Sequence, residues 1–255
     1  MRIFRRGVAW LLLAAGLLIA FMYWQATADP VVRRLTITVP DWPANTPPMR
    51  LVLMSDLHVA GPETPPARLA RVVAQVNALH PDLVLIAGDF VTEKRTATAL
   101  YGADAAIAPL AALRPRIGTF AVLGNHDHWL DAKAVRAALA KARVTVLGNR
   151  AVGVGPLAIG GIDDAPTHHA NVAGTVAALG QRGGYGILLS HSPDIFPAVP
   201  ASVPLVLAGH THCGQVVLPL YGPLATASRY GTRYFCGVVR EGAKQLAIST
   251  ASPQP

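Results

Sequence analysis

The sequence predicts an α/β domain preceded by one apolar amino-terminal helix. Three observations predict it. Apolar runs at 51–54, 83–86 and 119–123 alternate with stretches of helical spacing, the pattern of parallel βαβ units. Each run ends in a short polar cluster, and ligands of open α/β sheets bind at the carboxyl ends of strands. An uncharged run from Gly7 to Trp24 stands ahead of both.

Arg2, Arg5 and Arg6 precede that run, whose length is at the lower end of the about 17–25 apolar residues that span a bilayer. Arginines before it and few charges just after Trp24 predict an inside amino terminus, with the rest outside the cytoplasmic membrane and Tyr23 and Trp24 at the far interface. Ala26-Thr27-Ala28 has the A-x-A form of a cleavage site, so export after signal cleavage is the alternative. The run is longer than a usual signal core, which favours an uncleaved anchor. Residues 1–28 are thus assigned to the anchor, 29–49 to a linker and 50–255 to the folded domain.

The linker carries a β-like run, 35–39, and a stretch punctuated by Pro40, Pro43, Pro47 and Pro48. The run 51–54 is a strand that delivers Asp56 and His58, two positions apart and so on one side of an extended chain. Leu69, Val72, Val73 and Val76 give 67–79 helical spacing, which His80-Pro81 ends. The strand 83–86 delivers Asp89, and 97–113 is predicted helical. Thr119 to Leu123 ends at Gly124 and delivers Asn125, His126 and Asp127. Helices are expected over 131–142, with Asp131 as N-cap, and over 171–179. Between them a Gly-rich stretch, 145–162, reads as hairpin structure and ends in Asp163-Asp164. The runs 186–189 and 203–208 are strands that deliver His191 and Gly209-His210-Thr211-His212. A β meander over 215–218, 234–235 and 245–248 follows.

Composition narrows the function classes. With 255 residues, 52% of them hydrophobic, the chain can bury one substantial core beside an appendage, and with only 14% charged residues it is not expected to be disordered. The formal charge of +8 suits phosphate esters and phospholipid headgroups. No basic run interleaved with aromatics occurs, so nucleic acid is not expected as a partner. Cys213 and Cys236 lack C-x-x-C spacing and read as two small buried residues, with a single bridge as the alternative for an exported domain.

Asp, Asn and His collected at strand ends are suited to holding metal ions. Carboxylate, amide oxygen and imidazole fit Mn, Fe or Zn, and the lack of thiolates argues against a structural zinc site. A carboxylate such as Asp89 can bridge two ions. Two ions about 3.5–4 Å apart can hold a hydroxide between them and neutralise the attacking and leaving oxygens of an in-line displacement at phosphorus.

At these residues the sequence resembles the calcineurin-like metallophosphoesterase superfamily. Its pattern stands here as Asp56-Leu57-His58, Gly88-Asp89, Gly124-Asn125-His126-Asp127, His191 and Gly209-His210-Thr211-His212. The resemblance implies a four-layer α/β/β/α sandwich and two metal ions. It implies that one ion is held by Asp56, His58, Asp89 and His212, and the other by Asp89, Asn125, His191 and His210. His126 is then not a ligand but lies over the scissile phosphate, with Asp127 as its orienting partner. Gly161-Ile162-Asp163-Asp164, Gly214-Gln215-Val216, Leu218-Pro219 and Ser228-Arg229-Tyr230-Gly231 resemble the membrane-associated bacterial phosphodiesterases of the YaeI type. Cys213 departs from the Gly usual at its position, and another segment is expected after Ile248-Ser249-Thr250.

The expected function is a membrane-anchored, dinuclear metal-dependent phosphodiesterase whose substrates extend to lipid-linked diesters. The sequence sets no oligomeric state. One alternative is a pyrophosphatase of the UDP-2,3-diacylglucosamine type, which needs a cytoplasmic site. A metal-stabilised membrane binding module is the non-enzymatic alternative, against which the complete ligand pattern weighs. His128, His168 and His169 read as solvated loop residues. Asp163 and Asp164 shape a substrate loop or a turn, and Arg229 meets a phosphate or a surface carboxylate. Trp129 is packing or a wall of the cleft.

Overall fold

The structure, a computed structural model, describes residues 2–39, 42–214, 217–218, 222–223 and 225–249. Helix α1 (Arg2–Thr27) opens the chain. Its segment Phe4–Phe21 has a mean hydropathy of 1.7 and no residue buried against the rest of the protein, so it is long and apolar enough to cross a membrane. Then follow β1 (Leu51–Met54), β2 (Ala60–Gly61), α2 (Pro66–Ala78), β3 (Leu83–Ala87), β4 (Ala99–Leu100), α3 (Ala103–Ile107), β5 (Gly118–Val122), α4 (Asn125–Lys141) and β6 (Val144–Val146). The second half holds β7 (Arg150–Val154), β8 (Leu157–Gly161), α5 (Val172–Gly180), β9 (Tyr185–Leu189), β10 (Leu205–Ala208), β11 (Val217–Leu218), β12 (Gly222–Pro223), β13 (Gly237–Glu241) and β14 (Lys244–Ile248).

Two sheets stack face to face. The first, all parallel, runs β1-β3-β5-β6, and the second runs β13-β14-β10-β9-β8-β7, with parallel pairing at its centre and an antiparallel strand at each edge. The alternation of side chains along each strand builds the layers. On β3, Val84 and Ile86 turn into the core under α2, α3 and α4, whereas Leu83, Leu85 and Ala87 turn into the core between the sheets. On β10, Leu205 and Leu207 join that inter-sheet core, while Val206 and Ala208 pack beneath α5 and the 3-10 turn 193–198. A strand buried on both faces must be apolar throughout, as 83–87 is. The result is the expected α/β/β/α sandwich.

Several elements depart from the expected bounds. The run 35–39 forms no strand among the described residues; Ile37 only leans on the inter-sheet core. The helix expected over 97–113 begins at Ala103, because 99–100 pairs with 60–61 instead, and after Ala108 it tightens into a 3-10 turn that holds Pro109. Helix α4 starts earlier than expected, at Asn125, and kinks at Asp131 (φ −171°, ψ 91°). Asp131 still caps the second segment by accepting from the Ala134 amide at 3.0 Å. Tyr234 lies in a 3-10 turn rather than a strand, and the closing pair is β13 with β14, the latter parallel to β10. Pro40, Gln215, Val216, Pro219 and Thr250 lie outside the described residues. Cys213 and Cys236 form a disulfide, correcting the reading as two free buried residues.

Candidate metal centre

The carboxyl ends of β1, β3, β5, β9 and β10 point the same way, and the loops that leave them are laced together by backbone hydrogen bonds. The amides of Asp56 and His58 donate to the carbonyls of Gly88 and Asp89 at 3.1 and 2.9 Å, and Gly209 donates to His191 at 2.9 Å. Two glycines allow the loops to approach this closely. A Cβ on Gly88, whose φ is +81°, would meet the Gly124 amide nitrogen at 2.6 Å, and one on Gly124 would lie 2.2 Å from Asp89 Oδ1.

This lacing converges the donor atoms. Asp56, His58 and His212 each bring one ligand atom into a common cluster, as do Asp89, His191 and His210. Asp89 also groups with His58 and His126, so it links the two sides. Its Oδ2 lies 3.4 Å from His58 Nε2 and 3.3 Å from His191 Nε2, while Oδ1 accepts the His126 amide at 3.0 Å. Asn125 Oδ1 sits 3.1 Å from His191 Nε2, which is 3.0 Å from His210 Nδ1; His58 and His212 face each other through Nε2 at 3.1 Å. Donors bound at about 2.1 Å to a common cation stand about 3.0 Å apart along an octahedral edge and about 3.4 Å along a tetrahedral one. The observed separations are of that size, so these side chains fit a pair of cations.

Support beneath the donors fixes their aim. His191 Nδ1 is 2.6 Å from the Ala87 carbonyl oxygen, to which it donates, so Nε2 is left to face the site. Both oxygens of Asp56 accept the His210 amide, at 3.0 and 3.1 Å. Burial opposes charge on His191, but Asp89, with Asp56 and Asp164 behind it, raises its pKa to about 10. Burial likewise opposes ionisation of Asp89, and the imidazoles of His191, His58 and His126 outweigh it, holding the carboxyl far below the usual range. His58 and His210 are both lowered to about 4 by burial, and for His210 the His191 charge adds to this. A cation bound among these donors would take the place of the His191 proton beside Asp89, since imidazole ligates only in its neutral form.

His126 stands at the rim. Its ring meets His58 edge-on, with centroids 4.7 Å apart, and its Nδ1 lies 2.9 Å from Glu93 Oε2. Glu93 thus takes the place expected for Asp127. The Asp127 carboxylate is fully buried: Oδ2 accepts from the amides of Asp89 and Gly124, both at 2.9 Å, and Oδ1 from those of Phe90 and Val91 at 2.8 and 3.2 Å. It organises the loops that carry Asp89 and Asn125 rather than touching His126. Burial and Asp89 push its pKa up to about 7, against the pull of the Gly124 and Val91 amides. Glu93 was missed because an exposed Glu four residues past Asp89 carries no spacing signal of its own.

The family profile of calcineurin-like phosphoesterases matches residues 49–214, which span every one of these donors. The chain belongs to the calcineurin-like metallophosphoesterases. A transmembrane protein with a metallophosphoesterase domain from Danio rerio is 31% identical over 255 residues, covering 93% of this chain and 55% of that relative. This metallophosphoesterase therefore spans little more than half of that relative's length. The phosphodiesterase YaeI of Escherichia coli (strain K12) is 30% identical over 220 residues, covering 79% of this chain and 74% of the relative. The structure of the NAD nucleotidase NadN from Haemophilus influenzae shares the fold, with a TM-score of 0.52 at 19% identity over 80% of this chain and 50% of that one.

Most of the other residues singled out in the sequence have structural partners. Asp163 accepts from Arg136 at 2.7 Å and lies 2.9 Å from His128, which stacks on His169 at 4.1 Å. Asp164 Oδ2 accepts from the Thr167 amide and hydroxyl, so the Asp163-Asp164 pair forms a turn tied to α4. His168 is exposed on that turn. Arg229 is held by Asp194, whose carbonyl accepts from it at 3.1 Å. Trp129 is 59% exposed and touches His126 edge-on.

Proposed function

We propose that this metallophosphoesterase is a dinuclear metal-dependent phosphodiesterase, anchored by α1 in the cytoplasmic membrane with its catalytic domain on the extracytoplasmic side. Residues 1–28 form the anchor, 29–49 the linker and 50–255 the catalytic domain. The observation that carries the reading is Asp89 Oδ2 lying between His58 Nε2 and His191 Nε2, at 3.4 and 3.3 Å. A single carboxylate oxygen shared by two donor clusters suits a bridge between two cations. Asp56, His58, Asp89 and His212 would hold one, and Asp89, Asn125, His191 and His210 the other.

The cations, when bound, supply Lewis acidity toward the phosphoryl oxygens and a nucleophile at neutral pH; Mn, Fe and Zn all suit these donors. The protein does the rest. His126, oriented by Glu93, faces the leaving-group oxygen and delivers a proton to it or stabilises its charge. The substrate is a phosphodiester, extending to lipid-linked ones, in keeping with the name of the YaeI relative and the charge of +8. The Cys213–Cys236 bridge suits an oxidising, extracytoplasmic compartment.

The test is turnover of bis(p-nitrophenyl) phosphate by the detergent-solubilised full chain, stripped of metal and reloaded. Turnover should need added Mn or a similar ion and vanish in Asp89→Asn and His126→Ala; unchanged activity in both variants overturns the assignment. A fusion reporter active only on the cytoplasmic side would reverse the orientation.

A further inference from the structure

Two consecutive large apolar side chains are exposed just after His126 and Asp127 in the chain: Trp129 is 59% exposed and Leu130 43%. The Trp129 ring contacts His126 at 5.0 Å between centroids, so the pair forms the lip of the cleft. Leu100, 59% exposed, adds a third on the β2–β4 ribbon, which follows His58. Exposed Lys133 lies beyond the kink at Asp131, which is itself exposed, and exposed Arg95 sits in the loop with Lys94 and the exposed Glu93. Apolar tips flanked by cations, with a Trp among them, are the composition of a surface that seats in a headgroup layer.

The site's rim is joined to the membrane anchor by direct contacts. Glu93 holds His126, and the next residue, Lys94, pairs with Glu63 at 2.8 Å. Beside Glu63, the Thr64 hydroxyl accepts from Arg68 at 2.8 Å, and buried Arg68 donates through its other terminal nitrogen to the carbonyl of Ala28, the residue after α1. Arg71 pairs with Asp29 at 3.2 Å, and Gln75 donates to the Pro30 carbonyl at 3.0 Å. The linker is thus bolted along α2 as it leaves the anchor, and a run of contacts through Glu63, Thr64 and Arg68 connects it to the loop that carries Glu93.

We propose that the lip of Trp129 and Leu130, with Leu100, enters the headgroup region of the leaflet from which α1 emerges, so that the site takes a phosphodiester from the bilayer itself. The occupant of this apolar patch is the membrane surface. The inference rests on the anchored-phosphodiesterase reading above.

The experiment uses the full chain in vesicles of phosphatidylethanolamine and phosphatidylglycerol, with Trp10, Trp24 and Trp42 replaced by Phe so that Trp129 alone emits. Phospholipids brominated near the headgroup should quench it. A control chain that also carries Trp129→Phe and Gln181→Trp, an exposed position beyond α5, should be unaffected. Quenching of Trp129 no greater than in the control overturns the proposal. So does a Trp129 shielded from both bromine and aqueous iodide, the sign of a protein partner. A Leu100→Ser, Leu130→Ser chain should keep its turnover of bis(p-nitrophenyl) phosphate in detergent and lose about tenfold on a diester embedded in vesicles; equal losses on both substrates overturn the lip. The two readings fail separately. Trp129 in water with normal turnover of the soluble diester sinks the lip alone, whereas quenching without any turnover keeps the lip and sinks the enzymatic assignment.

Discussion

Asp127→Asn separates two accounts of the most buried carboxylate near the site. In the structure each of its oxygens accepts two backbone amides, from Asp89 and Gly124 on one side and Phe90 and Val91 on the other. An Asn side chain keeps one oxygen and turns the other into a donor. Whichever way it rotates, two amides then face an NH2 group. Hydrogen bonds to a charged group contribute about 1.5–3 kcal/mol each, and an orphaned buried donor costs about 1–3 kcal/mol. Burial and Asp89 already work against the Asp127 charge, which trims the loss. A net destabilisation of about 3–4 kcal/mol follows. For a domain of this size each kcal/mol moves Tm by about 2–4 °C, so the variant should melt roughly 6–16 °C lower.

The assay is thermal unfolding of the full chain in detergent, followed by circular dichroism, with metal chelated in both proteins so that ligand linkage adds nothing. Metal uptake at fixed temperature should also weaken, because the four amides belong to the segments that carry Asp89 and Asn125. The competing account, in which Asp127 orients His126, expects a stable protein with a reduced kcat. An Asp127→Asn chain that melts within about 2 °C of the parent, against the shift expected for even 1 kcal/mol, and turns over more slowly would refute the structural role and restore that account.

Three further outcomes are expected. Glu93→Gln should lower kcat roughly 10–100-fold while bound metal and Tm stay unchanged, since Glu93 touches the His126 ring and none of Asp56, His58, Asp89, Asn125, His191, His210 and His212; metal analysis beside steady-state kinetics checks this. Gly124→Ala places a methyl group 2.2 Å from Asp89 Oδ1, so the purified variant should carry less metal than the parent at equal free metal concentration. The disulfide closes a separation of 23 residues, for which loop entropy predicts about 3 kcal/mol of stability; denaturant curves with and without reductant should differ by that amount in the parent and coincide in Cys213→Ser, Cys236→Ser.

What could be read from the string follows from which signals are local. The parallel half was legible because buried strands such as 83–87 are apolar at every position and the helix after each has its own period. The donors were legible because Asp, Asn and His are unusual as the first polar residues after such strands. Partnerships across the fold were not. Glu93 meets His126 over 33 residues, and the disulfide joins a loop after β10 to the turn before β13. The 97–113 helix was overdrawn because the pairing of Ala99 and Leu100 with 60–61 is a tertiary event that local periodicity does not encode. The backbone partners of Asp127 were hidden for the same reason: adjacency to His126 in sequence says nothing about a helix start that sends the two side chains in different directions.

The backbone supplies a further mark of the site that composition hides. Asp56, His58, Asp89, His210 and His212 all have positive φ, between 40° and 70°. Left-handed backbone costs a non-glycine residue roughly 1 kcal/mol or more, and Asp and His are among the types that visit it most often. A chain leaving a β-strand continues forward unless a residue reverses it. One left-handed residue at the strand end turns the chain sharply, so that its side chain faces the donors arriving from neighbouring strands. Glycine would adopt the turn at less cost but would bring no ligand. Left-handed backbone also occurs at turns such as His80, Arg143 and Asn149, but at the ends of β1, β3 and β10 it falls on the residues that carry the donors, which is what a metal centre needs there.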